Sequence, residues 1–223
     1  MRSVNPTTRT LVAELRSVAD PSRKTGMARV GIAVDRALGV SIPQLRRIAR
    51  AHRDDHELAL DLWATEIHEA RILASMIDDP AQVDRPQMND WAADFDSWDL
   101  CDQVCNNLFR SVAAVDLAAR AWARSPEGYV KRAAFTIVAV QAVHDDDRPD
   151  SYFMDWLPRI RRAATDERAV VRKGVSWALR QIGKRGPVLR AAAIGEAERL
   201  LGLGSKSASW IARDVGRDLG PRG

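Results

Sequence analysis

The stretch Val130–Val140, VKRAAFTIVAV, carries the pattern from which the fold of this chain can be predicted. It begins with a β-branched residue and two basic ones, continues with the small residue Ala133, and ends in an apolar run. The segment Val171–Ile182, VRKGVSWALRQI, repeats this order 41 residues later, with Gly174 as the small residue. A third segment, IHEARILASMI from Ile67, aligns with both without gaps. Apolar runs of this length and spacing are typical of buried helices.

The 41-residue period falls within the roughly 40–47 residues of HEAT and armadillo repeats, which are built from pairs or triplets of helices. Hairpin signals and alternating β-branched stretches are missing, and short Pro, Gly and Asp clusters separate the amphipathic segments. We therefore predict an all-α fold, a HEAT-like or armadillo-type α-solenoid of helical pairs in which each pair packs on its neighbours. A compact irregular helical bundle is the alternative.

We expect residues 1–223 to form a single HEAT-like repeat domain. Its last segment contains Trp210 and is rich in Gly and Ser, which indicates a final capping helix with a loose tail of up to roughly 15 residues.

Composition and charge narrow the class of protein. The hydrophobic fraction of 46% and the charged fraction of 29% are ordinary for a globular protein. We expect a cytoplasmic location, because the chain has neither an apolar run of ~18 residues nor a signal-peptide hydrophobic region. Residues 1–53 carry a net charge of +8, residues 54–109 carry −12, and residues 157–223 carry +9. Basic ends favour a polyanion such as DNA, although solvated helix faces would produce the same pattern.

Residues 94–109, DFDSWDLCDQVCNNLF, place four carboxylates around one tryptophan at the start of an apolar helix. The expected core stripe of this helix is Leu100, Cys101, Val104 and Leu108. Trp98 and Asp102 are i, i+4 neighbours on a different face, although core packing remains an alternative for Trp98. We assign Asp96 and Asp99 to the helix N-terminus, which favours acids. Asp102 lies one turn deeper, where capping explains it less well.

The helix around Trp177 has a basic face. Its expected core stripe is Val171, Val175, Ala178 and Ile182. Trp177 lies off that stripe, near Lys173 and Arg180, and a tryptophan among cations is typical of a nucleic-acid surface. Core packing is again the alternative. Arg132 lies in the first turn of the otherwise apolar segment Tyr129–Val143, so we expect its guanidinium to reach solvent, a carboxylate or a phosphate.

Few other patterns point to catalysis. The chain has no GxSxG, P-loop or HExxH motif, and no GxGxxG before a helix. We interpret Cys101 and Cys105 as small buried thiols rather than a metal or redox pair. His52 and His56 have the spacing of a metal pair, but they fall in a polar break that we interpret as a solvated linker. If the protein is an enzyme, we therefore expect its catalytic groups to be carboxylates.

These motifs together resemble those of the bacterial HEAT-repeat DNA alkylation repair proteins, the AlkD-type alkylpurine DNA glycosylases. The resemblance spans about residues 10–185 and rests on LGVSIPQLRRI from Leu38, SWDLCD from Ser97, VKRAAFTIV from Val130 and VVRKGVSWALRQI from Val170. It implies a concave DNA-binding face and hydrolysis of the N-glycosidic bond of cationic N3- and N7-alkylpurines. It also implies that no metal or other cofactor is required.

The resemblance implies a role for each matching residue. Asp102 would be the catalytic aspartate that stabilises an oxocarbenium-like sugar and positions water, and Trp98 and Trp177 would flank the lesion-bearing nucleotide. Arg132 would contact the DNA nearby. The further cations that we expect on the DNA are Lys131, Lys173, Arg180, Arg46 and Arg47. The expected partner is double-stranded DNA with alkylated purines, bound by a nucleoid-associated monomer with no metal and no membrane contact.

Several positions depart from the pattern of the family. Val30 and Ser41 stand where other members have Tyr and Gln near the DNA, Val170 and Val171 replace an aromatic pair, and Ser97 replaces an aromatic residue found in some members. The alternative function is therefore that of a non-catalytic relative that binds branched or distorted DNA. A HEAT-type scaffold for proteins is a third interpretation, which the basic C-terminal region disfavours. Retention of the matched aspartate, arginine and tryptophans favours the enzyme.

Overall fold

A computed structural model describes residues 6–220 of the chain, and every regular element in this range is a helix. The all-α prediction is thereby confirmed for the described residues, which contain no strand. None of the helices in this range is long and apolar enough to cross a membrane. The contacts divide the chain into two compact units, with the boundary between Ala114 and Val115. The single repeat domain over residues 1–223 stays a prediction.

The first unit consists of short helices followed by a turn of 3₁₀ helix at Phe109–Ser111. Its helices are α1 (Pro6–Ser17), α2 (Arg23–Arg29), α3 (Ile42–Ala49), α4 (His56–Trp63), α5 (His68–Ile77), α6 (Arg85–Ala93) and α7 (Trp98–Asn107). Helix α5 lies at the centre of this unit, because it packs against α3, α4 and α7.

The second unit contains the longer helices. They are α8 (Val115–Trp122), α9 (Gly128–His144), α10 (Asp150–Met154), α11 (Leu157–Ala163), α12 (Ala169–Lys184), α13 (Pro187–Leu201) and α14 (Lys206–Leu219). Helix α12 packs against α9, α11, α13 and α14, and α8 packs against α9. Helices α9 and α12 thus lie side by side, and the other helices of this unit that contact them pack around this pair. We call α9 and α12 the inner helices of the unit.

The three repeated segments form the inner helices α5, α9 and α12, as the pattern predicts. Their small residues, Ala70, Ala133 and Gly174, are all buried. A Cβ at Gly174 would lie 3.2 Å from Cγ of Arg132 on the neighbouring helix, so the glycine permits the close approach of α12 to α9. In α12 the small residue of the repeat therefore lies at a helix–helix contact.

Local chemistry explains where several helices begin. The Asp55 carboxylate accepts the backbone N–H of Leu58 at 3.1 Å at the start of α4, and Asp84 accepts that of Gln87 at 2.9 Å at the start of α6. A side-chain acceptor at this position satisfies one of the amide groups that a helix N-terminus leaves without a partner. Proline occupies an early position of α3, α6, α11 and α13, where no intrahelical N–H is needed.

Four tryptophans are core residues: Trp63, Trp91, Trp122 and Trp156. Trp63 and Trp91 stack with ring centroids 3.9 Å apart, and the Trp63 indole N–H donates to the Asp94 carboxylate at 2.8 Å. The guanidinium of Arg71 lies over the Trp63 ring and also bonds Asp94, at 2.9 Å. This buried arginine has both a carboxylate and an aromatic face as partners, which its burial requires.

The C-terminal segment forms helix α14, and the expected capping helix is confirmed. The Ser205 hydroxyl accepts the N–H of Ala208 at 3.2 Å at its start, and Ile211, Val215 and Leu219 are buried. The chain is therefore packed as far as residue 220, and this part of the predicted loose tail was wrong. Residues 221–223 lie outside the described range.

Candidate functional site

Helix α7 begins at Trp98 because Ser97 has an extended backbone, with φ −149° and ψ 155°, and Asp99 supplies an acid in the first turn. The predicted core stripe of α7 is confirmed, since Leu100, Cys101, Val104 and Leu108 are all at most 1% exposed. The two free cysteines, Cys101 and Cys105, are buried, as expected for structural thiols.

Trp98 and Asp102 lie on the first two turns of α7, off the buried stripe. Trp98 is 36% exposed, and its indole N–H donates to the backbone oxygen of Val30 at 2.8 Å. Asp102 is half-buried. An indole and a carboxylate are therefore accessible side by side on one helix face, as the i, i+4 spacing predicts.

The segment that holds Val30 is anchored from α5. The Glu69 carboxylate, in a residue only 1% exposed, accepts the backbone N–H groups of Leu38 and Gly39 at 2.7 and 2.6 Å. Gly39 has φ +83°, and a Cβ there would collide with the backbone oxygen of Asp20, so only glycine fits. The backbone that accepts the Trp98 N–H is thus tied to the core through one buried carboxylate.

A buried His68–Asp99 pair supports the start of α7, and the sequence did not predict it. His68 Nε2 lies 2.9 Å from the Asp99 carboxylate, and His68 is 4% exposed. Burial alone lowers the pKa of His68, but the hydrogen bond and the charge of Asp99 outweigh burial, so the pKa lies above its usual value. Burial raises the pKa of Asp99, but the hydrogen bond and charge of His68 bring it below its usual value. Asp99 therefore does more than serve the helix terminus, which was the expected role.

We expect the stability that this pair contributes to fall as the pH rises above about 6.5, the pKa of an unfolded histidine, because the folded pKa of His68 is raised. A His whose folded pKa is raised stabilises fully below its unfolded pKa of about 6.5, and that stabilisation is lost as the pH rises through the folded pKa. Chemical denaturation of wild type and Asp99→Asn at a series of pH values below and above about 6.5 provides the measurement. The variant should show a flatter dependence because it lacks the charge that raises the His68 pKa. Equal slopes would mean that the pair does not control this titration.

Arg132 is buried in the first turn of α9, at 6% exposed. One of its guanidinium nitrogens donates to the backbone oxygen of Val170 at 2.9 Å, and its aliphatic part packs on Gly174. Val170 is half-buried, whereas Val171, next to it, belongs to the core. The backbone acceptor for the guanidinium was not among the predicted partners.

Helix α12 carries the predicted basic face. Its core stripe is confirmed, because Val171, Val175, Ala178 and Ile182 are all fully buried. Trp177 is half-buried, and Lys173 is exposed without an ion pair among residues 6–220. The Arg180 guanidinium lies 3.3 Å from the Asp214 carboxylate and 3.4 Å from that of Asp218. A phosphate would have to compete with these carboxylates for Arg180, so Lys173 is the more available cation.

The remaining predicted cations differ in their availability. Lys131 is half-buried and pairs with Asp166 at 2.8 Å. The pKa of Asp166 lies well below its usual range, chiefly because of its hydrogen bond with Arg168 and also because of that with Lys131. Arg46 and Arg47, on α3, are exposed and make no ion pair within the described part of the chain. They are free to meet a phosphate, whereas Lys131 is not.

His52 and His56 lie in different surroundings, although their spacing is that of a metal pair. His56 begins α4 and contacts the buried carboxylate of Asp78 through Nδ1 at 2.7 Å, so the expected solvated linker was wrong for His56. His52 is half-buried. Among the described residues, no group of three His, Cys, Asp or Glu side chains is placed to hold a metal ion.

Comparison with known proteins supports the resemblance in the motifs. The sequence model of the family described as "DNA alkylation repair enzyme" matches residues 11–210. One solved structure, described as "A new family of proteins related to the HEAT-like repeat DNA glycosylases with affinity for branched DNA structures", matches with a TM-score of 0.78. Its sequence identity is 18%, and the match covers 96% of each chain. The likeness confirms the HEAT-like repeat fold over the irregular bundle. No curated protein sequence matches the chain significantly.

Proposed function

Since the chain belongs to the DNA alkylation repair enzyme family, we propose that it is a monofunctional DNA glycosylase that excises cationic N3- and N7-alkylpurines. The observation that carries the proposal is the pair of accessible side chains on α7, where Trp98 and Asp102 lie on one face off the core. Neither side chain is needed in the buried stripe of the helix. The pair thus combines a carboxylate with an aromatic ring, which are two groups that stabilise positive charge.

The proposed reaction needs few groups. An N3- or N7-alkylated purine is positively charged, so it leaves as a neutral base and requires no general acid. Cleavage of the bond between C1′ and the base nitrogen builds oxocarbenium character on the deoxyribose. The Asp102 carboxylate opposes this charge and orients the attacking water. The Trp98 indole adds a π-face to the same surface of α7.

The proposed DNA contacts in the second unit come from α12. Lys173 offers an exposed ammonium group for a phosphate, and Trp177 offers a half-buried ring for a nucleotide. Arg132 is proposed to act close to the DNA from its buried position at the start of α9. In the first unit, Arg46 and Arg47 on α3 offer two exposed guanidinium groups for phosphates.

The test is release of free base from duplex DNA that carries N7-methylguanine, with undamaged duplex as the control. Wild-type protein should release N7-methylguanine and leave undamaged purines in place. The competing function is non-catalytic binding of branched DNA, favoured by the description of the matching structure and by the departures at Val30 and Ser41. No release, combined with salt-sensitive preference for a four-way junction over linear duplex, would replace the glycosylase proposal by this one.

We expect Trp177→Ala to lower base release by about tenfold with little loss of thermal stability. The side chain is half-buried and off the core stripe, so its removal leaves no closed cavity, while base or sugar stacking is worth about 1–3 kcal/mol. Melting temperature and base release of the variant are the two measurements, and Trp156→Ala, at a fully buried site, is the reference for a core tryptophan. Equal destabilisation by the two substitutions would make Trp177 a core residue.

A further inference from the structure

Four arginines of the second unit line one cavity, and none of them has a role in the proposed reaction or its DNA contacts. The cavity measures about 250 Å³ and is lined by Arg120, Ala123, Arg124, Pro158, Arg159 and Arg162. These residues lie at the end of α8, just beyond it, and on α11. The cavity thus lies between two outer helices of the unit, whereas Lys173 and Trp177 are on the inner helix α12. We call these six residues the arginine pocket.

The pocket concentrates the positive charge of four arginines. None of the lining residues is acidic, and none of the four guanidinium groups forms an ion pair with a carboxylate among residues 6–220. This contrasts with Arg148, which pairs with both Asp116 and Asp145 at 2.7 Å. Like charges that share a cavity repel each other, so an anion in the pocket would relieve their repulsion.

Two of the arginines are held in place before any anion binds. The Arg120 guanidinium carbon lies 5.9 Å from the ring centre of Tyr152, and that of Arg159 lies 5.6 Å from the ring centre of Trp156. Arg159 also donates to the backbone oxygen of Asp155 at 2.6 Å. Stacking on an aromatic ring restricts a long side chain, which reduces the entropy lost when it binds a ligand. The pocket is therefore partly preorganised.

The lining chemistry selects the kind of anion. A guanidinium presents two parallel N–H donors that match the oxygens of a phosphate. Among residues 6–220, the pocket is lined besides the arginines by Ala123 and Pro158, and neither supplies a side-chain acceptor or an aromatic face with which to identify a base. A site that offers charge without base contacts suits the phosphate backbone of a nucleic acid.

We propose that the arginine pocket binds phosphates of a second DNA segment, separate from the segment held at α9 and α12. This inference rests on the proposed function only in taking DNA as the ligand. A linear duplex offers one segment, whereas a branched DNA offers further arms. The pocket should accordingly add affinity for a four-way junction more than for a linear duplex of the same sequence.

The experiment compares Arg124→Gln/Arg162→Gln with wild type in anisotropy titrations of labelled junction and linear duplex over a range of salt concentrations. Both arginines are exposed, and their side chains make no hydrogen bond or ion pair with residues 6–220, so the variant should fold normally. Arg9→Gln/Arg16→Gln is the matched control, because it removes the same charge from exposed positions of α1. Arg159→Gln is a second variant, which alters one of the stacked arginines.

The pocket variant should bind the junction about tenfold more weakly and the linear duplex within about twofold of wild type. For the junction, the slope of the logarithm of the association constant against the logarithm of the salt concentration is negative. It should become less steep by about 0.9 for each lost phosphate contact. The control should change both affinities by less than about twofold. Unchanged junction binding in the pocket variants, or an equal loss in the control, would overturn the proposal.

Two further measurements separate the neighbouring possibilities. Thermal stabilisation by inorganic phosphate in wild type but not in the pocket variant, with junction binding unaffected, would indicate a site for free phosphate and would overturn the DNA proposal. Base release from linear N7-methylguanine duplex should be the same in the pocket variant and in wild type. If wild type releases no base while the pocket variant still loses junction affinity, the glycosylase function fails and the pocket stands.

Discussion

Asp102→Asn should lower the release of N7-methylguanine by about 10²–10³-fold while DNA affinity stays within about threefold of wild type. Removal of one preorganised electrostatic group commonly has an effect of this size on kcat. The amide keeps the shape and a hydrogen-bonding oxygen, but it has no charge to oppose the oxocarbenium-like sugar. Single-turnover base release and anisotropy titration of the same duplex give the two quantities.

The control for this substitution is Asp96→Asn. Asp96 is exposed just before α7, and its carboxylate accepts a hydrogen bond from the Ser97 hydroxyl at 3.0 Å. The Asp96→Asn substitution removes one negative charge near the same end of the helix, as Asp102→Asn does. Base release should nevertheless change by less than about threefold. Thermal unfolding of both variants establishes that they are folded. Full activity in folded Asp102→Asn, or an equal loss in Asp96→Asn, would remove Asp102 from the proposed mechanism.

Glu69→Gln should destabilise the protein by about 1–3 kcal/mol, the range for leaving one buried N–H without an acceptor. The Glu69 carboxylate accepts the N–H groups of Leu38 and Gly39 with its two oxygens. Glutamine offers only one oxygen, and its NH₂ group would face the other backbone donor. Urea denaturation measures the loss, and trypsin cleavage after Arg36 reports whether this segment has loosened.

The control for Glu69 is Glu66→Gln. Glu66 pairs with Arg36 at the surface, where both side chains are more than half exposed, and such ion pairs contribute at most about 1 kcal/mol. If Glu69→Gln costs no more than Glu66→Gln, the carboxylate does not anchor the segment. A slower base release in Glu69→Gln would link this anchor to the Trp98 side chain, whose N–H is bound by Val30 of the same segment.

Features that depend on helical spacing could be predicted from the sequence. The core stripe of α7, the core stripe of α12, and the exposure of Trp98 all follow from a rotation of about 100° per residue. The same holds for the buried helix α9, whose apolar run leaves no polar face. The three repeated segments form helices α5, α9 and α12, and the small residue of each segment is buried.

Features that join distant positions could not be predicted from the sequence. His68 meets Asp99, Glu69 holds Leu38 and Gly39, and the Glu196 carboxylate, fully buried, binds Arg161 through two hydrogen bonds of 2.6 and 2.5 Å. Each of these contacts joins residues 30 to 35 positions apart. No local pattern marks such partners, because the packing of whole helices decides which polar groups meet.

The basic residues show the same difference between what the sequence predicts and what only the tertiary structure shows. The sequence alone showed that Arg46, Arg47, Lys131, Lys173 and Arg180 are basic residues on helix faces. Only the tertiary structure showed that Lys131 and Arg180 pair with acids, that Lys173 pairs with none among residues 6–220, and that four other arginines share a cavity. Helix periodicity is a property of the backbone and is encoded locally, so the sequence by itself determined the fold class, the core faces and the position of Trp98 and Asp102 on one face off the core stripe of α7. Charge pairing depends on which side chains the packing brings within a few ångströms, so the tertiary structure alone decided which cations remain available to an anionic ligand.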